Sequence, residues 1–315
     1  MLDYRNFYQY YDSLFCILDK ILSYKWNELF NCNYKKNNKK IVYETYCQDN
    51  IYITDYSLGV SKDCYIFFSG NGLYYPNTQD EFIQKIVYED RYEWRNLCKT
   101  RSFKKNAKKV IFVRDIYKQW YVTGCSKKLN TIDKMYLYLK NITTGYDIIT
   151  VGNSAGGYAA VLFGILLKAK CIYSFSGQFS IFDKINNENI LVQDNKQRQY
   201  YNLRNLIEEN KGNIPVFWFY AVKSDYDIEQ RKIIDELPIY KIAFDESIHG
   251  KSCFPTDCIP FILKTKDNLN LQYVLKSKVY NNISFSYKLF GITGIVRAIA
   301  HVIRKKKALF VKWYN

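Results

Sequence analysis

Residues 147–156, Asp-Ile-Ile-Thr-Val-Gly-Asn-Ser-Ala-Gly, constrain the fold of this chain more than any other segment. The apolar run before Gly152 predicts a buried strand, and the small residues after Gly156 predict a helix that packs closely on a sheet. Between them lies a G-x-S-x-G motif, whose glycines permit the tight strand-to-helix turn that projects a serine hydroxyl outward. We therefore predict that Ser154 is a nucleophile.

The base that such a serine needs is nearly fixed by the composition. A hydroxyl is a weak nucleophile at neutral pH and needs a base within hydrogen-bond reach, and the chain contains 2 histidines, His249 and His301. His249 lies in the loop after the last predicted strand, from which its imidazole can reach Ser154. His301 lies in a C-terminal helical pattern and is interpreted as a helix-surface residue. His249 is therefore the predicted base.

The carboxylate that orients this histidine is predicted between Ser154 and His249 along the chain. The apolar strand 214–220 leads into a turn that contains Asp225 and Asp227, and either carboxylate can hold the Nδ1 proton of the imidazole. We prefer Asp227, which lies at the predicted junction of strand and helix. The other aspartate is interpreted as a helix N-cap, a position that aspartate favours.

Around this motif, short apolar runs alternate with helical patterns, which is typical of βα units around a mainly parallel sheet. Strands are predicted at residues 41–46, 50–55, 64–68, 109–113, 146–151, 170–175, 214–220 and 239–244. Helices are predicted at residues 80–99, 131–139, 155–168 and 227–237. The predicted fold class is therefore α/β, with a central sheet flanked by helices.

Other parts of the chain depart from this alternation. Residues 1–40 are predicted to form an N-terminal helical flank, with an amphipathic helix within 6–26 and an exposed polar loop at 31–40. The catalytic domain is expected at 41–260. Within it, the polar segment 178–213 is interpreted as a cap inserted over a pocket.

Two further side chains lie where predicted strands end, which is where sites form in open α/β sheets. Arg114 can bind an anionic substrate group through two hydrogen bonds, and the alternative is an ion pair with its neighbour Asp115. Gln178 lines the pocket or occupies a turn. Both Arg114 and Gln178 are candidates for substrate binding.

Together these features resemble the α/β-hydrolase family. The resemblance covers about residues 41–255 and rests on the G-x-S-x-G motif, the order serine, aspartate, histidine along the chain, and the glycine loop 69–73. It implies an eight-stranded, mostly parallel sheet and an oxyanion hole, and it requires no metal ion or organic cofactor. The implied oxyanion donors are the backbone N–H of Ala155 and a second N–H from Gly72 or its neighbours, Asn71 and Leu73.

The segment 152–164, followed by residues 174–178, also resembles hydrolase-type proteins of bacterial surface-polysaccharide biosynthesis. That resemblance implies a serine esterase or acyltransferase acting on an ester linked to a glycan or a glycan precursor. The alternative, from another class, is a non-catalytic hydrolase-like interaction protein recruited to an anionic membrane or a glycan-synthesis complex.

Net charge and cysteine content limit which partners and which cellular compartment are expected. The formal net charge is +16, with 46 lysines and arginines against 30 aspartates and glutamates, which favours an anionic partner. No nucleic-acid-binding motif accompanies this charge, so nucleic acid is not the expected partner.

The 9 cysteines are odd in number and scattered, and the N-terminus lacks a signal-peptide pattern. We therefore expect a reduced, cytoplasmic compartment.

The C-terminal segment carries a separate pattern. Residues 261–315 are predicted to form a basic helical extension, without strands beyond residue 255. Within 290–314, apolar residues share one helical face, while basic residues occupy the other and a lysine run follows. Such a helix can lie on the inner face of an anionic membrane, or it can dock on its own domain. No segment long enough to span a membrane is predicted.

Overall fold

The computed structural model describes residues 36–56, 61–182, 197–250, 259–264, 279–300 and 303. The helix predicted within 6–26 lies outside the described residues, as do the middle of the predicted cap and most of the chain after residue 300. Within the described ranges, every helix is too short or too polar to cross a bilayer.

In the described part of the chain, eight strands form one sheet. The strands are β1 (Ile51–Asp55), β2 (Asp63–Phe68), β3 (Lys109–Val113), β4 (Asp147–Asn153), β5 (Cys171–Phe175), β6 (Val216–Ala221), β7 (Tyr240–Phe244) and β8 (Val279–Tyr280). Their order in the sheet is β1-β3-β2-β4-β5-β6-β7-β8. β1 is antiparallel to β3, and the other neighbours run parallel. The predicted α/β-hydrolase-like fold is confirmed.

Helices connect and flank these strands. They are α1 (Lys36–Cys47), α2 (Gln79–Phe82), α3 (Arg101–Asn106), α4 (Ile132–Ile142), α5 (Ala155–Leu166), α6 (Arg204–Asn210), α7 (Asp225–Ile233), α8 (Ile259–Lys264) and α9 (Asn282–Phe290). Residues 292–300 are also helical. The side chain of Thr131 accepts a hydrogen bond from the Lys134 N–H and caps α4.

The central strands are buried on both faces. Successive side chains of a strand point to opposite faces, and in β2 Ile66 and Phe68 belong to one apolar cluster while Tyr65 and Phe67 belong to another. The continuous apolar run of β2 is therefore explained by helices on both sides of the sheet.

The segment before β1 departs from the prediction. A loop to residue 40 and a strand at 41–46 are predicted, whereas α1 covers both regions from Lys36. Ile41 and Val42 pack against the apolar cluster that contains Tyr74. β-branched residues favour strands, but strand propensity depends on context, and here the contact with this cluster outweighs it.

The single helix predicted at 80–99 is broken in the structure. α2 continues as a π-helical stretch, Ile83–Tyr88, after which Asp90 adopts a φ of 43° and Trp94 a φ of 71°. The break returns the chain to the end of β2, where Trp94 Nε1 donates a hydrogen bond to the Phe68 carbonyl at 3.3 Å. Tyr92 and Trp94, after the break, pack in the apolar cluster on one face of the sheet.

The sheet continues beyond the last predicted strand. β8 pairs in parallel with β7, so the prediction that strands are absent beyond residue 255 is wrong. Tyr280 of β8 and Phe285 of α9 belong to the apolar cluster on one face of the sheet. A strand of two residues is too short to reveal its period in the sequence.

Both described ends of the segment 178–213 belong to the core. Phe179 and Ile181 near its start, and Leu203 near its end, are buried in the cluster that contains residues of α5. A β-bridge joins Ser180 to Asn202. Residues 183–196 lie outside the described residues, and the cap stays a prediction.

Candidate active site

Ser154 occupies a sharp turn between β4 and α5. Its φ of 52° and ψ of −119° are unusual for a residue with a side chain, and its N–H donates to the Phe175 carbonyl at 2.8 Å. A Cβ on Gly152 would lie 1.9 Å from the Gly156 carbonyl oxygen, and one on Gly156 would lie 2.2 Å from the Phe68 carbonyl oxygen. Both glycines of the motif are therefore required by close backbone contacts.

The structure brings the predicted serine, histidine and aspartate together. Ser154 Oγ lies 2.9 Å from His249 Nε2, and His249 Nδ1 lies 2.6 Å from Asp227 Oδ1. The His249 side chain is 23% exposed and that of Asp227 is 1% exposed. The chain of contacts thus runs from a buried carboxylate to the hydroxyl of a partly exposed serine.

Asp227 is fixed on its second oxygen as well. Oδ2 accepts hydrogen bonds from the Ala221 N–H at 2.9 Å and from Ser176 Oγ at 3.0 Å. These donors compensate the burial of the carboxylate and set its orientation toward His249.

The alternative carboxylate, Asp225, is exposed at the start of α7. The N-cap of α7 is Ser224, so the expected N-cap role of Asp225 is wrong by one residue. Asp227 lies one half-turn further on, where the helix faces the sheet and the carboxylate is buried.

The predicted oxyanion donors belong to the residue after Ser154 and to the loop that follows β2. Ala155 is the first residue of α5, and the first N–H groups of a helix have no partner within it. In the loop after β2, Gly72 is exposed, Asn71 is partly exposed and Leu73 is buried. The loop approaches the turn closely, because a Cβ on Gly70 would lie 2.6 Å from the Asn153 carbonyl oxygen.

Glu93 supports this loop and was not predicted from the sequence. Its Oε2 accepts a hydrogen bond from the Gly70 N–H at 2.7 Å, and its own N–H donates to Ser69 Oγ at 3.3 Å. Burial raises the pKa of the Glu93 carboxyl, and the Gly70 N–H partly opposes that shift. The Gly70 N–H is therefore engaged by Glu93. The only sequence signal was an acidic residue between two aromatic ones.

Arg114 is held by partners within the protein. Its guanidinium lies 3.0 Å from Asp90 Oδ1, its Nε donates to Asn50 Oδ1 at 2.9 Å, and it stacks over the Tyr92 ring at 4.3 Å. The expected ion pair with Asp115 is therefore wrong. Arg114 is buried, and none of its described contacts connects it to Ser154, so its proposed role with substrate gains no support.

Gln178, in contrast, reaches the site. Its Nε2 lies 3.4 Å from Ser154 Oγ and 3.2 Å from His249 Nε2. On its other side, Gln178 Oε1 accepts a hydrogen bond from Trp120 Nε1 at 3.2 Å. The contact with Trp120 was not predicted, because the two residues are far apart in sequence.

The loop that carries Trp120 is organised by Asp115. This carboxylate, only 4% exposed, accepts hydrogen bonds from the backbone N–H groups of Tyr117 at 3.1 Å, Gln119 at 2.6 Å and Tyr121 at 3.0 Å. Burial raises the pKa of Asp115 to about 6, although these hydrogen bonds act to lower it.

No protein-family model matches the chain, and no curated protein is similar to it in sequence. Solved structures with a similar fold include a capsule O-acetyltransferase of Neisseria meningitidis serogroup A, at 12% identity and a TM-score of 0.46 over 70% of this chain and 91% of that chain. An S-formylglutathione hydrolase from Agrobacterium tumefaciens matches at 11% identity and a TM-score of 0.42, over 72% of this chain and 90% of its own. The fluorophosphonate-binding serine hydrolase FphF of Staphylococcus aureus matches at 11% identity and a TM-score of 0.38, over 58% of this chain and 75% of its own.

The pKa of Asp115 predicts a pH-dependent stability. Because the folded protein binds this proton more tightly than the unfolded chain, whose pKa is near the ordinary 3.8, the stabilisation is complete below about pH 4 and is lost as the pH rises to about 6. Relative to an Asp115→Asn variant, the free energy of unfolding of the wild type should fall by up to about 3 kcal/mol across this range. Urea unfolding of both proteins at a series of pH values measures the difference. If the free energies of unfolding of the two proteins changed with pH in parallel, the raised pKa of Asp115 would be contradicted.

Proposed function

We propose that this protein is a serine esterase or acyltransferase that acts through an acyl-enzyme. The observation that carries the proposal is the continuous contact from Asp227 through His249 to Ser154. A hydroxyl hydrogen-bonded to an imidazole, itself oriented by a buried carboxylate, is the arrangement that activates serine for attack on a carbonyl.

In the proposed reaction, Ser154 Oγ attacks the ester carbonyl while His249 Nε2 takes the hydroxyl proton. Asp227 holds the Nδ1 proton and stabilises the imidazolium that forms. The backbone N–H of Ala155 and one from residues 71–73 donate to the oxyanion. When the tetrahedral intermediate collapses, the ester C–O bond breaks and His249 returns the proton to the leaving alcohol.

The second half of the reaction repeats these steps with a new nucleophile. Water gives hydrolysis, and an acceptor hydroxyl gives acyl transfer. In both cases the incoming oxygen bonds to the acyl carbon as its proton passes to His249. The bond from Ser154 Oγ to the acyl carbon then breaks, and His249 returns the proton to Ser154 Oγ. We propose a carbohydrate-linked ester as the substrate, in keeping with the resemblance of residues 152–164 and 174–178 to proteins of surface-polysaccharide biosynthesis and with the net charge of +16.

A second proposal concerns where the protein acts. Ile292, Val296, Ile299 and Ile303 follow one another on one helical face, and their exposures are 76%, 63%, 47% and 50%. The helix docks through its other side, because Ala298 is fully buried and a Cβ on Gly294 would lie 1.9 Å from the Ser286 carbonyl oxygen.

The four exposed side chains are called the apolar stripe. An apolar stripe on a strongly basic protein fits the interface of an anionic membrane. We propose that the stripe places the protein at such a surface, in line with a cytoplasmic, peripheral location. The non-catalytic alternative would share this surface but would leave the Ser154–His249–Asp227 contacts without a role.

The two neighbouring aspartates give a matched test of the catalytic proposal. Asp227→Asn removes the carboxylate that orients His249, so kcat for p-nitrophenyl acetate should fall by about 10³- to 10⁴-fold. Asp225→Asn changes an exposed side chain on the same helix turn and should alter kcat by less than about twofold. Steady-state kinetics of the two variants, with Ser154→Ala as the inactive reference, measure the contrast. Equal effects of the two aspartate substitutions would refute the proposed roles.

The membrane proposal is tested by removing the stripe. Replacing Ile292, Val296 and Ile299 by serine should weaken binding to phosphatidylserine-containing vesicles at least about tenfold, because three apolar side chains no longer insert. A control variant replaces Val87, Tyr88 and Leu137, which are exposed elsewhere on the protein, and it should bind like the wild type. Vesicle sedimentation measures both, and unchanged binding of the stripe variant would overturn the proposal.

A further inference from the structure

The orientation of the Gln178 amide is determined by Trp120. An indole Nε1 only donates hydrogen bonds, so the atom of Gln178 that lies 3.2 Å from it must be the carbonyl oxygen Oε1. The amide nitrogen then points the other way, toward Ser154 and His249. Gln178 therefore presents an N–H donor at the centre of the site.

Trp120 lies in a loop whose backbone is strained and is held in place by hydrogen bonds. Lys118, Trp120 and Tyr121 have φ values of 55°, 51° and 62°, and left-handed backbone costs free energy at residues with side chains. Asp115 offsets this cost through its backbone hydrogen bonds in the loop. The Tyr121 hydroxyl also donates to the Ser69 carbonyl at 2.8 Å, which ties the loop to the predicted oxyanion loop.

Gln178 is fixed from its own side of the site as well. It is only 6% exposed and follows β5. The next two backbone N–H groups, of Phe179 and Ser180, donate to Gln230 Oε1 at 2.6 Å and 3.0 Å. The side chain therefore has little freedom to turn its amide away from Ser154.

Without a bound substrate, the Gln178 amide N–H shares its acceptors with other groups of the site. With Nδ1 of His249 protonated toward Asp227, Nε2 has one lone pair, and the Ser154 hydroxyl lies closer to it, at 2.9 Å, than the Gln178 amide, at 3.2 Å. The remaining contact of the amide, with Ser154 Oγ, is long at 3.4 Å. A bound oxygen atom would therefore give this donor a better partner.

The proposed reaction brings such an oxygen to this point. His249 Nε2 returns its proton to the leaving alcohol and takes one from the incoming water or acceptor hydroxyl, and each transfer requires the oxygen to lie within hydrogen-bond reach of Nε2. An oxygen near both His249 Nε2 and Ser154 Oγ lies next to Gln178 Nε2, because that nitrogen is close to both atoms.

We propose that Gln178 Nε2 donates a hydrogen bond to the oxygen of the leaving alcohol, and to that of the incoming hydroxyl in the second half-reaction. This inference rests on the proposed serine-ester chemistry. Gln178 transfers no proton. It stabilises the partial negative charge on the oxygen while the C–O bond breaks and the proton moves from His249 to that oxygen. Trp120 acts as a positioning residue that fixes the amide.

This role matters most for esters of ordinary alcohols. An alkoxide is a poor leaving group and carries much charge as the C–O bond breaks, whereas a nitrophenolate is stable without help. The site would therefore be suited to esters of aliphatic hydroxyls, the class to which carbohydrate esters belong.

The test compares two acetate esters on the full-length protein. Gln178→Met keeps the length of the side chain and removes its amide. We expect kcat/KM for glycerol triacetate to fall about 10- to 100-fold, the loss expected for one hydrogen bond to a charged oxygen. For p-nitrophenyl acetate we expect a change of less than about threefold, because kcat/KM covers only the steps up to release of the alcohol.

Two further variants separate positioning from general damage. Trp120→Phe keeps an aromatic ring but loses the N–H. It should lower kcat/KM for glycerol triacetate about 3- to 10-fold and, like Gln178→Met, have much less effect on kcat/KM for p-nitrophenyl acetate. Gln84→Met makes the same chemical change at an exposed residue and should leave both values unchanged.

The possible results are distinguishable. Equal losses with both esters in Gln178→Met, or no loss with the triacetate, would overturn the role of Gln178 while leaving the serine chemistry intact. A wild-type protein that cleaves neither ester would instead refute the proposed function and this inference with it.

Discussion

The buried carboxylate of Asp227 is the interaction on which the arrangement at the end of the sheet depends. Taking a carboxylate out of water is costly unless donors replace the water. Here the Ala221 N–H, Ser176 Oγ and His249 Nδ1 surround it. Ser176 follows β5, Ala221 ends β6 and His249 follows β7, so one side chain joins the ends of three adjacent parallel strands.

The sheet gives these strand ends a rigid base. Stacked rings lie along its faces, among them Phe67 on Phe112 at 5.4 Å, Phe175 on Phe219 at 4.7 Å and Trp218 on Tyr220 at 4.2 Å. Aromatic pairs of this kind add to the free energy gained from burying their surface. This packing explains why the described strands are rich in aromatic residues.

The parts of the site that could be predicted from the sequence are those with local signals. The glycines at 152 and 156 report a backbone turn, and the scarcity of histidines left His249 as the natural base. Local sequence did not identify the roles of Glu93 and Trp120, because these roles depend on contacts with Gly70 and Gln178 that only the fold creates. The same cause explains the incorrect strand at 41–46, where packing in three dimensions decided between helix and strand.

The proposed chemistry requires that His249 activates Ser154. Reaction of the folded, full-length protein with a fluorophosphonate probe, followed by mass spectrometry of its peptides, tests this most directly, because the probe bonds to activated serines. We expect an adduct on Ser154 in the wild type and its loss in a folded His249→Ala variant. An unlabelled wild type, or labelling of Ser154 that persists without His249, would contradict it.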